Sequence, residues 1–356
     1  MGRDYDAILF LSFGGPEGMD DVMPFLTNVL RGKNVPEARM KEVAHHYEMF
    51  GGVSPINAQN RKMIAALKEE LARRQINLPI YFGNRNWHPM LADTLRQMEA
   101  DGVKRALAFV TSAYSSYSGC RQYLEDIHRA LSENQQTDRL HIDKLRVFFD
   151  HPLFIEANLE CIETALKQFD NLNDLHLTFT AHSIPLSMAQ NCQYENQLLF
   201  VCRQICERLQ EKHNWPGASA PQWQLVYQSR SGPKSQPWLE PDILEHIESL
   251  KSRGFSKLLV HPVGFVSDHM EIIYDLDTEA KQLADSLHLQ MVRSLSSGNS
   301  EHFGRLIGDL IEERLKSNAG EECLKPCLTG APLPDVCPVD CCSYTPARPA
   351  QTAGSH

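Results

Sequence analysis

No apolar run in this 356-residue chain approaches the length of a membrane span. Ala7 to Phe13 is too short for one and runs directly into Gly14-Gly15-Pro16, so a buried first strand is expected there and not a signal segment. Basic residues are in the minority, 35 Lys and Arg against 45 Asp and Glu, for a net charge of -10. That balance argues against a nucleic-acid binder whose affinity rests on neutralising phosphates. A local basic pocket for an anionic small molecule stays open. Aromatic residues are few, at 8%. Familiar nucleotide and hydrolase signatures are missing as well. "FGGPEG" has neither the trailing Lys-Ser/Thr of a phosphate loop nor the Gly-x-Gly-x-x-Gly spacing. Ser183, beside His182, lacks the Gly-x-Ser-x-Gly frame of a nucleophile elbow. A globular protein of the cytoplasm is expected, long enough for two domains with their own cores.

The pattern that is present alternates strand and helix. Short apolar runs occur at "DAILFLSF", "LPIYFGNR", "RALAFVTSA", "LHLTFTAHS", "WQLVYQSR" and "KLLVHPVGF". Amphipathic stretches such as "RKMIAALKEELARRQ" and "ILEHIESLKSRG" separate them. Strands alternating with helices imply parallel sheets covered on both faces, an α/β architecture. Three runs precede residue 115 and three follow residue 174, the spacing of two similar halves joined near "HPLFIEANLECIETAL". In such folds ligands sit beyond the carboxyl ends of the strands. The segments to inspect are therefore "GGPEG", "GNRNW", "SAYSSYSGCRQY", "AHSIP", "SRSGP" and "SDHMEIIYD".

Two of these carry the chemistry. "TFTAHSIP" places His182 at a strand end, where an imidazole can exchange a proton near neutral pH. A loop histidine satisfied by hydrogen bonds is the plain alternative. "SDHMEIIYDLDTE" brings His269 and Glu271 to the corresponding place in the second half, followed by Asp275 and Glu279. Acids at 271, 275 and 279 recur every fourth residue and form one ridge of a helix, drifting by about 40° per step on an α-helix and less on a widened π turn. Like charges so spaced repel, so either a cation compensates them or they are a solvated face. Asp277, off the ridge, reads as solvated surface. His182, His269 and Glu271 would make an open nitrogen-and-oxygen site suited to transient metal handling. Five of the ten cysteines, Cys323, Cys327, Cys337, Cys341 and Cys342, crowd the end of the chain, where reduced thiols point to metal before disulfides. The last dozen residues, rich in Ala, Pro and Thr, are expected to be disordered.

Taken in order, "FGGPEG", "LRGKNVPEARMKEVAHHYEMFGGVSPIN", "TAHSIP", "YQSRSGPKSQPWLEP" and "VGFVSDHMEIIYDLDTEA" resemble the ferrochelatases, which insert ferrous iron into a porphyrin in heme synthesis. The resemblance covers essentially the whole chain except the tail. It implies two doubly wound, four-stranded parallel-sheet domains with a cleft between them, at 1–150 and 151–318, and a Cys-rich extension at 319–356. It also implies that His182 and Glu271 are catalytic, and that Asp275 and Glu279, with His269, belong to a metal path. Some members carry a tyrosine where this chain has Phe13, so Tyr123 is the expected iron ligand from that side, with Tyr114 and Tyr117 as other candidates.

"FGGVSPINAQNR" together with "SAYSSYSGCRQY" most resembles bacterial members that metallate coproporphyrin III, with protoporphyrin IX the alternative substrate. Four propionates need donors, and Arg31, His46, Tyr47 and Ser54 lie in the matching segment; Arg31 also fits a plain helix-end cation. The same likeness implies a [2Fe–2S] cluster held by four thiolates. Cys337, Cys341 and Cys342 are expected as ligands with Cys161 from the body, Cys120 being the rival and zinc the other metal. Ferrous iron and the porphyrin are the expected substrates. A monomer with at most peripheral membrane contact is expected, with other heme-synthesis enzymes as possible partners. A non-catalytic heme or metal carrier, or a cobalt or nickel chelatase, would share the fold.

Overall fold

The computed structural model describes residues 4–31, 35–213, 221–232 and 235–344. The last dozen residues, expected to be disordered, lie outside the described ones. The first sheet contains β1 (Ala7–Ser12), β2 (Ile80–Asn84), β3 (Arg105–Val110) and β4 (His141–Lys144), in the order β2-β1-β3-β4. The second contains β5 (Leu175–His182), β6 (Trp223–Gln228), β7 (Lys257–His261) and β8 (Gln290–Arg293), in the order β6-β5-β7-β8. Every pairing is parallel. The two-sheet α/β reading therefore holds, with two more strands than the six apolar runs suggested. Both additions, "HIDK" and "QMVR", are four-residue edge strands that pair on one side only, so neither needs an apolar run.

The inner strands are apolar because both faces are covered. Ala7 through Ser12 of β1 are fully buried. Three helices follow β1 before the chain returns to the sheet: α1 (Met19–Val29), α2 (Glu37–Glu48) and α3 (Ile56–Arg73). The crossover to the second half is the helix Pro152–Leu166, begun by Pro152 and capped by His151 Nδ1, which accepts from Leu153 N at 3.2 Å. The C-terminal helix His302–Ala319 returns to the first half and packs on both α3 and the crossover helix. Its Gly304 and Gly308 allow that approach, because a Cβ at Gly304 would lie 3.1 Å from the Ala66 Cβ and one at Gly308 would lie 2.9 Å from Glu70 Cγ. Arg74 locks the crossing by donating to Glu70, Asp309 and Glu312 at 2.7–2.8 Å.

Four histidines are buried away from the cleft. His176 Nδ1 and His246 Nε2 share the Thr178 hydroxyl at 3.0 and 3.1 Å. His261 lies between Ser294 and Asn158, and His151 stands near Asp309. Burial holds His176, His261 and His151 down to about 3 and His246 down to about 4. Unfolded histidines take a proton near pH 6.5 and these do not, so the stability they contribute is complete above that pH and is lost as the pH falls toward 4. Each costs roughly 1 kcal/mol per pH unit in that window. The midpoint of thermal unfolding should fall steeply between pH 6.5 and 4, and His246→Asn should make the fall shallower. A flat profile over that range would contradict this account.

Candidate active site

In both sheets the strand order reverses direction beside the first strand, between β1 and β3 and again between β5 and β7. Crevices outside the carboxyl ends at such points are where open α/β sheets bind ligands. The expected residues emerge there: Phe13 after β1, Tyr123 beyond β3, His182 at the end of β5 and His269 beyond β7. Thr111 Oγ1 donates to Ser12 Oγ at 2.9 Å, tying the β1 and β3 ends together.

His182 Nδ1 donates to the Ser183 carbonyl oxygen, and Tyr194 Oη donates to the His182 carbonyl oxygen at 3.2 Å. A carbonyl only accepts, so in the neutral ring the proton sits on Nδ1 and Nε2 keeps its lone pair. Nε2 lies 3.6 Å from Glu271 Oε2, and His269 Nδ1 lies 3.9 Å from the same oxygen. The structure thus brings His182, His269 and Glu271 together. His269 Nδ1 accepts from Glu271 N at 3.3 Å, capping the short helix Met270–Ile272. Burial lowers the His269 pKa, with Glu271 pulling the other way.

Beyond Ile272 the backbone widens into a π-helix, Ile273–Ala280, which carries Asp275 and Glu279. Such turns are frequent at functional sites. Asp275 is half-buried, and burial raises its carboxyl to about 7 against the hydrogen bond from Ser229, with Glu271 and Glu279 adding to the rise. Ser229 Oγ and Gln228 Nε2 both donate to Asp275 Oδ2, the latter at 3.3 Å, and Ser229 sits at φ 59°. Strain at a non-glycine residue in that region clusters at functional sites. Neither donor was singled out from sequence; "YQSRSGP" marked only the loop. Glu279 is exposed, near Asp242 and Arg39. Asp277 is no idle surface acid: Arg293 grips it with two hydrogen bonds at 2.6 and 2.8 Å.

The first half supplies an aromatic wall. Phe13 is 38% exposed and meets Phe25 edge-on at 6.3 Å; Phe25 meets Tyr47 at 5.9 Å. Tyr47 is buried within reach of the Glu271 charge, and both effects push its phenol upward. His46 stacks on Tyr274 of the π-helix, with centroids 3.5 Å apart and planes 8° from parallel. Ser54 is buried and its N–H donates to the Pro16 carbonyl at 2.8 Å. Arg31 lies apart from these, exposed and bonded to Asn28 at 2.8 Å. Tyr123 is buried under the guanidinium of Arg85, 4.7 Å above its ring, and Arg85 also lies 5.9 Å from Phe13. Arg85 pairs with Asp126 at 2.7 Å, both side chains almost wholly buried. The "GNRNW" loop marked that position without revealing its partner.

The thiols gather differently from expectation. Cys120 accepts a hydrogen bond from Cys337 and lies beside Lys144, which together bring it down to about 6; the same contact with Cys120, with burial, pushes Cys337 up. Cys341 and Cys342 Sγ are 3.6 Å apart, and Cys342 also neighbours Cys120. Cys161 is not part of this group. Its Sγ donates to the Ser296 carbonyl at 3.5 Å, and burial with Glu160 and Asp268 nearby raises it to about 12. Cys323 bonds the Glu313 carbonyl instead. Among the described residues no three or more His, Cys, Asp or Glu side chains form a ready-made metal-ion site, and no helix is long and apolar enough to cross a membrane.

Twin four-stranded parallel sheets, with an imidazole facing a carboxylate beyond the strand ends of the second, make a chelatase-type α/β protein. The solved structure of SirB from Bacillus subtilis with Fe3+ shares the fold, with TM-score 0.51 and 12% identity over 88% of this chain and 97% of that one. The family profile described as Ferrochelatase matches residues 5–315. A protein named ferrochelatase from Rhodopirellula baltica is 51% identical, over 98% of this chain and 97% of its own length. Proteins named coproporphyrin III ferrochelatase from Streptomyces coelicolor and Nocardia farcinica are 46% and 49% identical. These alignments cover 97% and 87% of this chain, and 95% and 88% of those proteins. The chain belongs to the ferrochelatase family and is an enzyme that inserts iron into a porphyrin.

Removing one partner of a buried ion pair strands the other charge. Asp126→Ala should therefore destabilise the protein by about 3 kcal/mol, read as a lower urea midpoint. A shift below ~0.5 kcal/mol would mean that Arg85 is solvated or paired elsewhere.

Proposed function

We propose that the chain inserts Fe²⁺ into coproporphyrin III, giving coproheme III and two protons. The observation that carries the mechanism is His182, whose Nδ1 is tied to the Ser183 carbonyl while Nε2 faces Glu271 at 3.6 Å. Nε2 is the base that takes a pyrrole proton, and Glu271 stabilises the imidazolium that results. Glu279, Asp275 and Glu271 form the approach for the cation, whose charge offsets their mutual repulsion. Asp275, raised to about 7, can release a proton as iron arrives and regain it as iron leaves. Phe13, exposed at this wall, would contact the macrocycle; Tyr123, expected as the ligand opposite His182, lies beneath Arg85 and would reach iron only once that guanidinium moves aside. Arg31, His46, Tyr47 and Ser54 are the donors for propionates.

Coproporphyrin as substrate is favoured by the names of relatives 43–49% identical over most of the chain. The same reading keeps 1–150 and 151–318 as the two domains and 319–356 as an extension, in a cytoplasmic monomer. Purified protein should metallate coproporphyrin III with a higher kcat/KM than protoporphyrin IX; the reverse order would assign it the other substrate. His182→Ala should lose insertion by a factor of at least about 10³ while still quenching porphyrin fluorescence on binding. Porphyrin binding without turnover in the unaltered protein would make it a carrier.

For the extension we propose a [2Fe–2S] cluster on Cys120, Cys337, Cys341 and Cys342. Each iron of such a cluster takes two thiolates, and the pairs Cys120–Cys337 and Cys341–Cys342 fit that demand. When bound, the cluster supplies a covalent tie between the extension and the body. Arg121 already donates to the carbonyls of Val339 and Cys341 in that region. Cys120→Ser should abolish the visible absorption and the acid-labile sulfide of protein purified without air, and Cys161→Ser should leave both. The opposite result would return Cys161 to the ligand set, and zinc in a colourless preparation would replace the cluster.

A further inference from the structure

We propose that Gln59 is a positioning residue for iron insertion, acting from the first domain through Asp268 on His269 and Glu271. The inference rests on the reading of His182 and Glu271 as the insertion site.

Gln59 lies in the first turns of α3, and Asp268 immediately precedes His269, 209 residues later in the chain. Both arms of the Gln59 amide engage this one residue. Its Oε1 accepts from Asp268 N at 2.8 Å, and its Nε2 donates to Asp268 Oδ2 at 3.0 Å. The opposite amide orientation would set oxygen against oxygen and donor against donor, so the pairing has one sense. The next pair repeats the contact, with Ser267 Oγ donating to Asn60 Oδ1 at 3.4 Å.

Asp268 is the hub of the second domain at this point. Its carboxylate is 4% exposed and also accepts from Arg293 Nη1 at 3.0 Å and Ser296 Oγ at 2.7 Å. Arg293 reaches on to Asp277 in the π-helix. The segment carrying His269, Glu271 and Asp275 is thus gripped before its first residue and again beside its middle. Within the second domain Arg293 and Ser296 would suffice to hold Asp268. Among the described residues Gln59 and Asn60 are the α3 side chains that hydrogen-bond to Asp268 and Ser267, and the amino end of α3 follows directly on Ser54 and Pro55. The register between the metal-side acids and the porphyrin-side wall is set by this pair. Displacement of a reacting group by about 1 Å can cost two orders of magnitude in rate, so a clamp three residues from Glu271 acts on turnover before it acts on porphyrin affinity.

Gln59→Glu keeps the side-chain length and replaces the donor with an acceptor facing Asp268. Its kcat for iron insertion should fall about tenfold or more with the porphyrin KM held within about twofold. Asp268→Asn alone should also fall, because its amide would face the Gln59 amide donor. Combined with Gln59→Glu it restores one donor and one acceptor, and kcat should return to within about threefold of the unaltered protein. A merely structural contact would lower stability without that split or that rescue. Normal kcat in Gln59→Glu overturns the proposal, as does a double variant no better than the singles. If Gln59→Glu does not fold, Gln59→Leu should show a fall of about fivefold in kcat at constant porphyrin KM, and an unchanged kcat overturns the proposal. His182→Ala, run alongside, separates the two readings. Turnover retained there with a rescued double variant faults the site assignment and supports the clamp. An inactive His182→Ala beside an unaffected Gln59→Glu faults the clamp alone.

Discussion

Phe148 stands between the two halves with its ring against Phe109 of β3 at 5.4 Å, Phe154 of the crossover helix at 5.5 Å and Phe303 of the C-terminal helix at 6.0 Å. All four rings are almost wholly excluded from water. The core they belong to is continuous from Phe10 of the first sheet to Phe179 of the second. In the proposed mechanism the base and the aromatic wall come from different halves, so the two sets of strand ends must keep a constant separation. Aromatic packing of this kind resists sliding, because shifting one ring opens a void beside the others. The Arg74 ion pairs and the Gly304–Ala66 approach hold the same arrangement from outside.

On that frame the second domain carries an electrostatic liability. Glu271, Asp275 and Glu279 stand on one ridge, and the π-helix places them there by widening the turn. Their repulsion is met locally in two ways. Asp275 is partly neutralised by its raised pKa and receives hydrogen bonds from Gln228 and Ser229. Asp277, the acid off the ridge, is discharged separately by Arg293. Glu271 has only the imidazoles of His182 and His269 beside it, and Glu279 has Arg39 nearby, so the ridge acids lack the direct guanidinium grip that Asp277 receives.

The cysteine-bearing extension meets the cleft through one short stretch. Cys120 and Arg121 face the extension, whereas Tyr123, two residues beyond Arg121, is buried beneath Arg85. The turn between them is another π-helix, Tyr117–Arg121, capped by Ser116. A constraint on Cys120 therefore lies three residues from the Tyr123–Arg85 contact.

Much of this was legible in the linear chain. Apolar runs marked β1–β3 and β5–β7, and the inner four of these are apolar because a strand covered on both faces must be apolar along its length. The row at 271, 275 and 279 and the histidine at 182 stood out because their types and spacing carry their chemistry wherever they are placed. The edge strands β4 and β8 were not legible, since a strand half open to water needs no apolar signature. Nor was it legible that Cys120, and not Cys161, lies beside the thiols of the extension, because thiols far apart in sequence are sorted only by which of them the packed core turns toward it. The Arg85–Asp126 pair, the Ser229 hold on Asp275 and the Gln59–Asp268 clamp all join residues from separate elements. Composition and periodicity determine which elements form and which of their faces are buried. Contacts between elements depend on how the two halves pack, and only the tertiary structure decides that.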